Sequence, residues 1–329
     1  MMRVAILTSG GDSPGMNAAI RAAVRCGTAA GLEPIGVRRG FNGLIDGDLW
    51  PLDNRSVGGI MERGGTILRT ARSQAFRTPE GQARAVKTAR QNGIDGVIVI
   101  GGNGSLHGAQ CLERHGLPTL GIPASIDNDV PGTTMSLGVD TALNTVVECL
   151  NRIRDTAVSH ERAFVIEVMG RKSGYIALNA GLAGGAEIVL LPEIPLSMSD
   201  IMTRVRDGIN RGKTHSVIVV AEGFWPTDVP AQSISPGRLI AGALEETETI
   251  ESRLTILGHL QRGGSPTAFD RLLACRFGEA AVAWLGDGTS GVYTGAVGRE
   301  IGAVPFTELD EPPEQVNLAM VRLANTLAH

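Results

Sequence analysis

Aromatic side chains are scarce in this sequence: 7 Phe, 3 Trp and 2 Tyr, 4% of 329 residues. So few rings leave little material for the base-stacking platforms that hold single-stranded nucleic acid. Positive charge is not in excess either, because 34 Asp and Glu outnumber 30 Lys and Arg for a net charge of −4. That balance favours neither nucleic acid nor an anionic membrane as a partner. Cysteine is thin and dispersed, at Cys26, Cys111, Cys149 and Cys275, with no Cys-x-x-Cys pair. The pattern is that of a reduced, cytosolic protein, without a disulfide scaffold or a structural zinc site. No uninterrupted apolar run approaches the ~18 residues of a membrane span. The apolar run at the N-terminus, Val4–Leu7 behind Arg3, is too short for a signal peptide.

Glycine, by contrast, is abundant at 44 residues, and hydrophobic residues make up 43%. The length suits two domains with sizeable cores. Short apolar runs recur ahead of Gly-rich or polar turns: Val4–Leu7, Val97–Ile100, Leu120–Ile122, Phe164–Val168, Ile188–Leu191, Val217–Ala221 and Leu254–Leu257. Strands of this kind, alternating with helical stretches such as Met16–Cys26, predict parallel sheets covered on both faces. From Val139 on, Ala142, Leu143, Val146, Val147, Leu150 and Ile153 repeat at helical spacing, which predicts a core-packing helix linking two domains. Pro226 to Pro236 is expected to be an exposed loop, and Glu311–Pro313 a break before a final helix.

Five loops carry polar chemistry. Gly10-Gly11-Asp12-Ser13-Pro14-Gly15 has the glycine spacing of a P-loop, but Met16-Asn17 replace its Lys-Ser/Thr. It is either an anion cradle at a helix N-terminus or a tight strand–helix turn. Gly101-Gly102-Asn103-Gly104-Ser105, with Gly108 one residue late, misses the dinucleotide fingerprint. Ser125-Ile126-Asp127-Asn128-Asp129 sets two carboxylates two residues apart, suited to a metal ligand plus a base, or to a pair of solvated turn aspartates. Met169-Gly170-Arg171-Lys172 and Gly258-His259-Leu260-Gln261-Arg262-Gly263-Gly264 place cations after strands, where an Arg fork matches phosphate. Taken together they are the parts of phosphoryl transfer, which relies on positioning and charge stabilisation.

In order and spacing these motifs resemble those of the bacterial ATP-dependent 6-phosphofructokinases, over nearly the whole chain. The resemblance implies two doubly wound, Rossmann-like parallel-sheet α/β domains with the active site in the cleft between them. Residues 1–138 plus 254–304 would form the larger, ATP-binding domain, and 139–253 plus 305–329 the smaller, fructose 6-phosphate-binding domain. It also implies a cytoplasmic glycolytic kinase, a homotetramer with shared active sites, using Mg²⁺ with ATP.

Residue by residue, Asp127 would be the general base, Arg171 and Arg72 would stabilise the transferring phosphoryl group, and Ser125 would lie near the γ-phosphate. Gly11, Arg72, Ser73, Arg77, Gly102, Asn103, Gly104, Ser105 and Gly108 would surround ATP, with Asn103 and Asp129 at the metal. Arg162, Met169, Gly170, Arg171, Glu222, Arg253, His259 and Arg262 would hold the sugar phosphate, Arg162 and Arg253 reaching in from a neighbouring subunit. Arg21, Arg25, Arg154, Gly185, Glu187, Arg211, Lys213 and His215 match an effector site for ADP or phosphoenolpyruvate.

Pyrophosphate-using relatives carry Asp and Lys where this chain has Gly104 and Ala124, so both positions favour ATP. Three departures stand out. Asn103 replaces a usual Asp, which predicts weaker Mg²⁺ use. Asn54 replaces a usual Arg, and Gly58-Gly59 lack polar side chains, which predicts an altered effector response. A pyrophosphate-dependent enzyme, another kinase class, a nucleotide-binding sensor and a dinucleotide-binding dehydrogenase fit the ordered motif set less well.

Overall fold

A computed structural model describes residues 1–246, 251–312 and 316–328. In chain order the elements are β1 (Arg3–Ser9), α1 (Met16–Ala29), β2 (Glu33–Val37), α2 (Gly40–Asp46), β3 (Leu49–Pro51), α3 (Pro79–Gln91), β4 (Gly96–Gly101), α4 (Asn103–Arg114) and β5 (Thr119–Pro123). There follow α5 (Val139–His160), β6 (Ala163–Val168), α6 (Tyr175–Ala183), β7 (Ile188–Leu190), α7 (Met198–Asn210), β8 (Ser216–Ala221), α8 (Pro236–Glu246) and β9 (Ser252–Ile256). The chain ends with α9 (Ala268–Gly286), β10 (Val292–Val297), β11 (Glu300–Pro305) and α10 (Leu318–Leu327).

The chain divides into two compact units. The first comprises Met1–Thr141 and the segment that begins at Arg262. Its seven-stranded sheet has the order β11-β10-β5-β4-β1-β2-β3. The five inner strands are parallel, and β3 and β11 add an antiparallel strand at each edge. Period-2 alternation decides which helix covers which face. Val4, Ile6, Ile98 and Ile100 pack with Met16, Ile20, Phe277 and Ala281 of α1 and α9. Ala5, Leu7, Val97 and Val99 pack with Phe41, Ala85 and Leu106 of α2, α3 and α4. Burial on both faces is why these strands read as unbroken apolar runs.

The second unit comprises Ala142–Gln261 and the C-terminal helix. Its four strands are all parallel, in the order β7-β8-β6-β9. Val165, Ile218 and Val220 pack against Ile201 and Val205 of α7 and Ile240 and Leu244 of α8. Of the stripe predicted for α5, Val139, Ala142, Val146 and Leu150 are fully buried, whereas Leu143, Val147 and Ile153 are half-buried.

The boundaries of the units differ from those expected. Residues 254–261 belong to the second unit, because β9 pairs with β6. Residues 305–312 stay with the first, because Phe306 and Leu309 are buried in its core. Of the Glu311–Pro313 break, Pro313 lies outside the described residues. Among the described residues, no helix is long and apolar enough to cross a membrane.

Candidate active site

In the first unit, β5, β4 and β1 are neighbours, and Ser9, Gly101 and Pro123 stand in register at their C-terminal ends. Three of the motif loops therefore leave the sheet side by side, where open α/β sheets bind ligands. The packing there is close: a Cβ on Gly101 would lie 2.5 Å from the Ser9 carbonyl oxygen. Both helices that follow start at glycine, Gly15 before α1 and Gly102 before α4, and neither has a side-chain cap. Their first N–H groups are thus suited to an anion.

Asn17, at the place of the P-loop hydroxyl residue, instead ties down a distant loop. Its amide Nδ2 donates to the carbonyls of Arg63 (3.0 Å) and Gly64 (3.1 Å), and its Oδ1 accepts from Ile67 N–H at 2.8 Å. Downstream, Thr70 Oγ1 donates to the Gly10 carbonyl at 2.7 Å. These ties bring the Arg72–Ser73 segment to the Gly10 turn. Arg72 and Arg77 are exposed, and Ser73 Oγ accepts from Phe76 N–H at 3.1 Å. A Cβ at Gly104 would meet nothing within 4 Å, whereas one at Gly108 would lie 2.6 Å from the Phe41 ring. Gly104 therefore fronts open space and Gly108 makes room for Phe41, which stacks on Phe76. Ala124 is buried.

The β5 loop is built around Asn128, whose backbone is left-handed at φ 49°. Its side chain accepts from Ser136 N–H (3.0 Å) and donates to the Thr134 carbonyl (3.1 Å). Strained residues of this kind persist only when their surroundings hold them. On one side of it stands Asp127, 1% exposed. On the other, Asp129 accepts from Ser125 Oγ at 3.3 Å, while Ser125 Oγ accepts from Asp127 N–H at 3.2 Å.

Asn103, in the first turn of α4, has an enclosed Oδ1 with no hydrogen-bond partner among the described residues. Its backbone carbonyl lies 2.9 Å from His107 Nδ1, and His107 Nε2 lies 3.3 Å from Asp310. Among the described residues no three His, Cys, Asp or Glu side chains gather as a metal site. One amide oxygen and one carboxylate still suit Mg²⁺, which keeps its waters and binds mainly through substrate phosphates. Arg262, expected with the sugar-phosphate group, belongs to the first unit and donates from Nη1 to the Asp12 carbonyl at 3.1 Å.

In the second unit the loop after β6 meets the ends of β8 and β9. Arg171 is left-handed at φ 53°. Glu222 Oε1, just past β8, accepts from Gly170 N–H (3.1 Å) and Arg171 N–H (2.7 Å). Met169 N–H donates to Gln261 Oε1 at 3.2 Å. Nearby, His259 is exposed. Arg162 and Arg253 share one partner: Arg162 Nε donates to Glu251 Oε2 at 2.6 Å, and Arg253 binds Glu251 Oε1. Partial desolvation pushes the Glu251 carboxyl up, but the bonds from Arg162 and Arg253 outweigh it and hold it below its ordinary value.

Of the effector candidates, Arg154 pairs with Glu187 at 3.3 Å and donates to the carbonyls of Gly184 and Gly185. Glu187, Arg211 and Lys213 line one cavity of about 310 Å³, together with Arg204 and Asn325. His215 Nδ1 is enclosed without a hydrogen-bond partner among the described residues. Arg21 and Arg25 are not in that group; they lie on α1 in the first unit. Gly59 has φ 63°, so the backbone itself favours glycine there. Sequence reading missed Gln261, Glu251 and the His107–Asp310 pair as supports, because Gln261 reaches Met169, Glu251 reaches Arg162 and His107 reaches Asp310 only through the fold.

The family profile described as Phosphofructokinase matches residues 3–285. The chain is 50% identical over 329 residues to the ATP-dependent 6-phosphofructokinase 1 of Thermus thermophilus, each chain covered in full. It is also 50% identical, again over the full length of both, to the ATP-dependent 6-phosphofructokinase of Thermotoga neapolitana. Among solved structures, phosphofructokinase from Saccharomyces cerevisiae superposes with a TM-score of 0.88 at 34% identity, covering 100% of this chain and 48% of that one. The chain belongs to the phosphofructokinase family.

Proposed function

We propose that this chain is an ATP-dependent 6-phosphofructokinase, transferring the γ-phosphoryl group of ATP to the 1-hydroxyl of fructose 6-phosphate. The observation that carries the reading is Asp127, a carboxylate 1% exposed at the end of a parallel strand, between a serine and a second aspartate. A base in that position takes the proton of the sugar hydroxyl as its oxygen bonds to the γ-phosphorus and the β–γ bridging oxygen leaves with ADP. Arg72 and Arg171 spread the charge of the transferring group, and Ser125 orients the γ-phosphate. Gly11, Ser73, Arg77, Gly102, Gly104, Ser105 and Gly108 surround the nucleotide. The open space at Gly104 supports ATP over pyrophosphate as donor.

Mg²⁺ bound with the nucleotide supplies charge neutralisation, and Asn103 and Asp129 would hold it. Met169, Gly170, Glu222, His259 and Arg262 bind the sugar phosphate, with Arg162 and Arg253 contributed by a neighbour in a homotetramer. Arg21, Arg25, Arg154, Gly185, Glu187, Arg211, Lys213 and His215 serve an effector nucleotide or phosphoenolpyruvate. The enzyme works in the cytoplasm.

The test is formation of fructose 1,6-bisphosphate with ATP or pyrophosphate across a Mg²⁺ titration. Turnover of ~1–100 s⁻¹ with ATP alone is expected, falling by ~10²–10⁴ in Asp127→Asn. Equal turnover with pyrophosphate, or an active Asp127→Asn enzyme, would overturn the reading.

A further inference from the structure

Three consecutive peptide N–H groups, at Met169, Gly170 and Arg171, point to side chains instead of to a helix or a sheet. Glu222 takes the second and third, and Gln261 the first. Gln261 is fully buried, 0% exposed, and its other amide atom is used as well: Nε2 donates to the Gly258 carbonyl at 3.0 Å. One side chain therefore joins the Met169–Arg171 loop to the turn that starts at Gly258 and carries His259. A buried amide with both ends satisfied is rigid, and leaving either partner unpaired is costly.

We infer that Gln261 is a positioning residue for sugar-phosphate binding. It sets the spacing between the Met169–Arg171 loop and His259 without touching substrate. The inference rests on the proposed phosphofructokinase activity. Its physical basis is that binding groups on two loops act together only if the loops are held at a fixed separation. Arg171 adds to the need, since a left-handed arginine relaxes once its neighbours release it.

Gln261→Met keeps the volume and removes both hydrogen bonds, and Gln261→Asn keeps the amide but shortens its reach. The readouts are kcat and KM for each substrate, direct fructose 6-phosphate binding by calorimetry, and thermal melting. Gln261→Met and Gln261→Asn should raise KM and Kd for fructose 6-phosphate about tenfold, the loss of one or two hydrogen bonds, with KM for ATP unchanged. A folded Met or Asn variant with wild-type sugar affinity overturns the inference, as does a parallel rise in both KM values. Wild-type enzyme inactive on fructose 6-phosphate would instead overturn the activity itself. If Gln261→Met does not fold, Gln261→Asn decides.

Discussion

Glu222 Oε1 lies 2.7 Å from the backbone nitrogen of Arg171, so the proposed sugar-binding carboxylate also fixes a left-handed arginine. The two roles separate by substitution. A glutamine side chain there would keep a carbonyl oxygen able to accept both N–H bonds, and alanine would keep nothing. If anchoring dominates, Glu222→Gln should stay within about threefold of wild-type kcat/KM, while Glu222→Ala should lose ~10–100-fold, the scale of releasing 1–3 kcal/mol of held strain. Equal losses in both variants would mean that the charge itself acts on the sugar.

At the proposed metal site, Asn103 would offer Mg²⁺ a neutral oxygen in place of a carboxylate. Its Oδ1 is already enclosed and without a partner among the described residues, so the amide is set for a ligand but carries no charge. Unit charges at 4 Å attract by ~4 kcal/mol at an effective dielectric of about 20, before solvation reduces the gain. Asn103→Asp should therefore lower the Mg²⁺ concentration for half-maximal rate severalfold. An unchanged or raised requirement, measured at saturating ATP, would show that this position does not reach the metal.

The loops that carry this chemistry are legible in the sequence, while the contacts that hold them are not. β1, β4, β5, β6 and β8 are visible because strands buried on both faces are contiguous apolar runs. β2, with Pro34 and Gly36 inside it, and the antiparallel edge strands give no such signal. Likewise Asp127, Asn103, Arg171 and Gln261 all sit in recognisable motifs, but the motif does not tell that Gln261 reaches Met169 across 92 residues. Nothing local in the sequence reports that a glutamine meets a distant peptide N–H. The unit boundaries are hidden for the same reason, since the strand that β9 joins, β6, is fixed only by tertiary pairing.

Glu251 occupies both arginines proposed for the neighbouring subunit's sugar phosphate, Arg162 at 2.6 Å and Arg253 through its second oxygen. A phosphate binding to the same two cations competes with that carboxylate for their charge and donors. Glu251→Gln removes the competing charge and should lower KM for fructose 6-phosphate about two- to fivefold, most clearly at low salt where exposed charges are least screened. A higher KM would show that Glu251 orients the arginines and does not compete with substrate.

Asp270 is wholly buried between the starts of α5 and α9, accepting from Gly138 N–H (2.9 Å), Thr141 N–H (2.8 Å) and Thr141 Oγ1. Burial raises its pKa above the ordinary 3.8, and the three donors offset this only in part. The sign follows from linkage. A carboxyl whose folded value exceeds its unfolded one contributes stability that is full below the unfolded value and is lost as pH rises through the folded value. Asp270→Asn removes that titration, leaving a side chain that still accepts through one oxygen. The melting-temperature advantage of wild type over Asp270→Asn should thus be largest below the ordinary 3.8 and shrink as pH rises through the folded value. An advantage that grows with pH would mean that the N–H donors outweigh burial and that the charged form is the one the fold prefers.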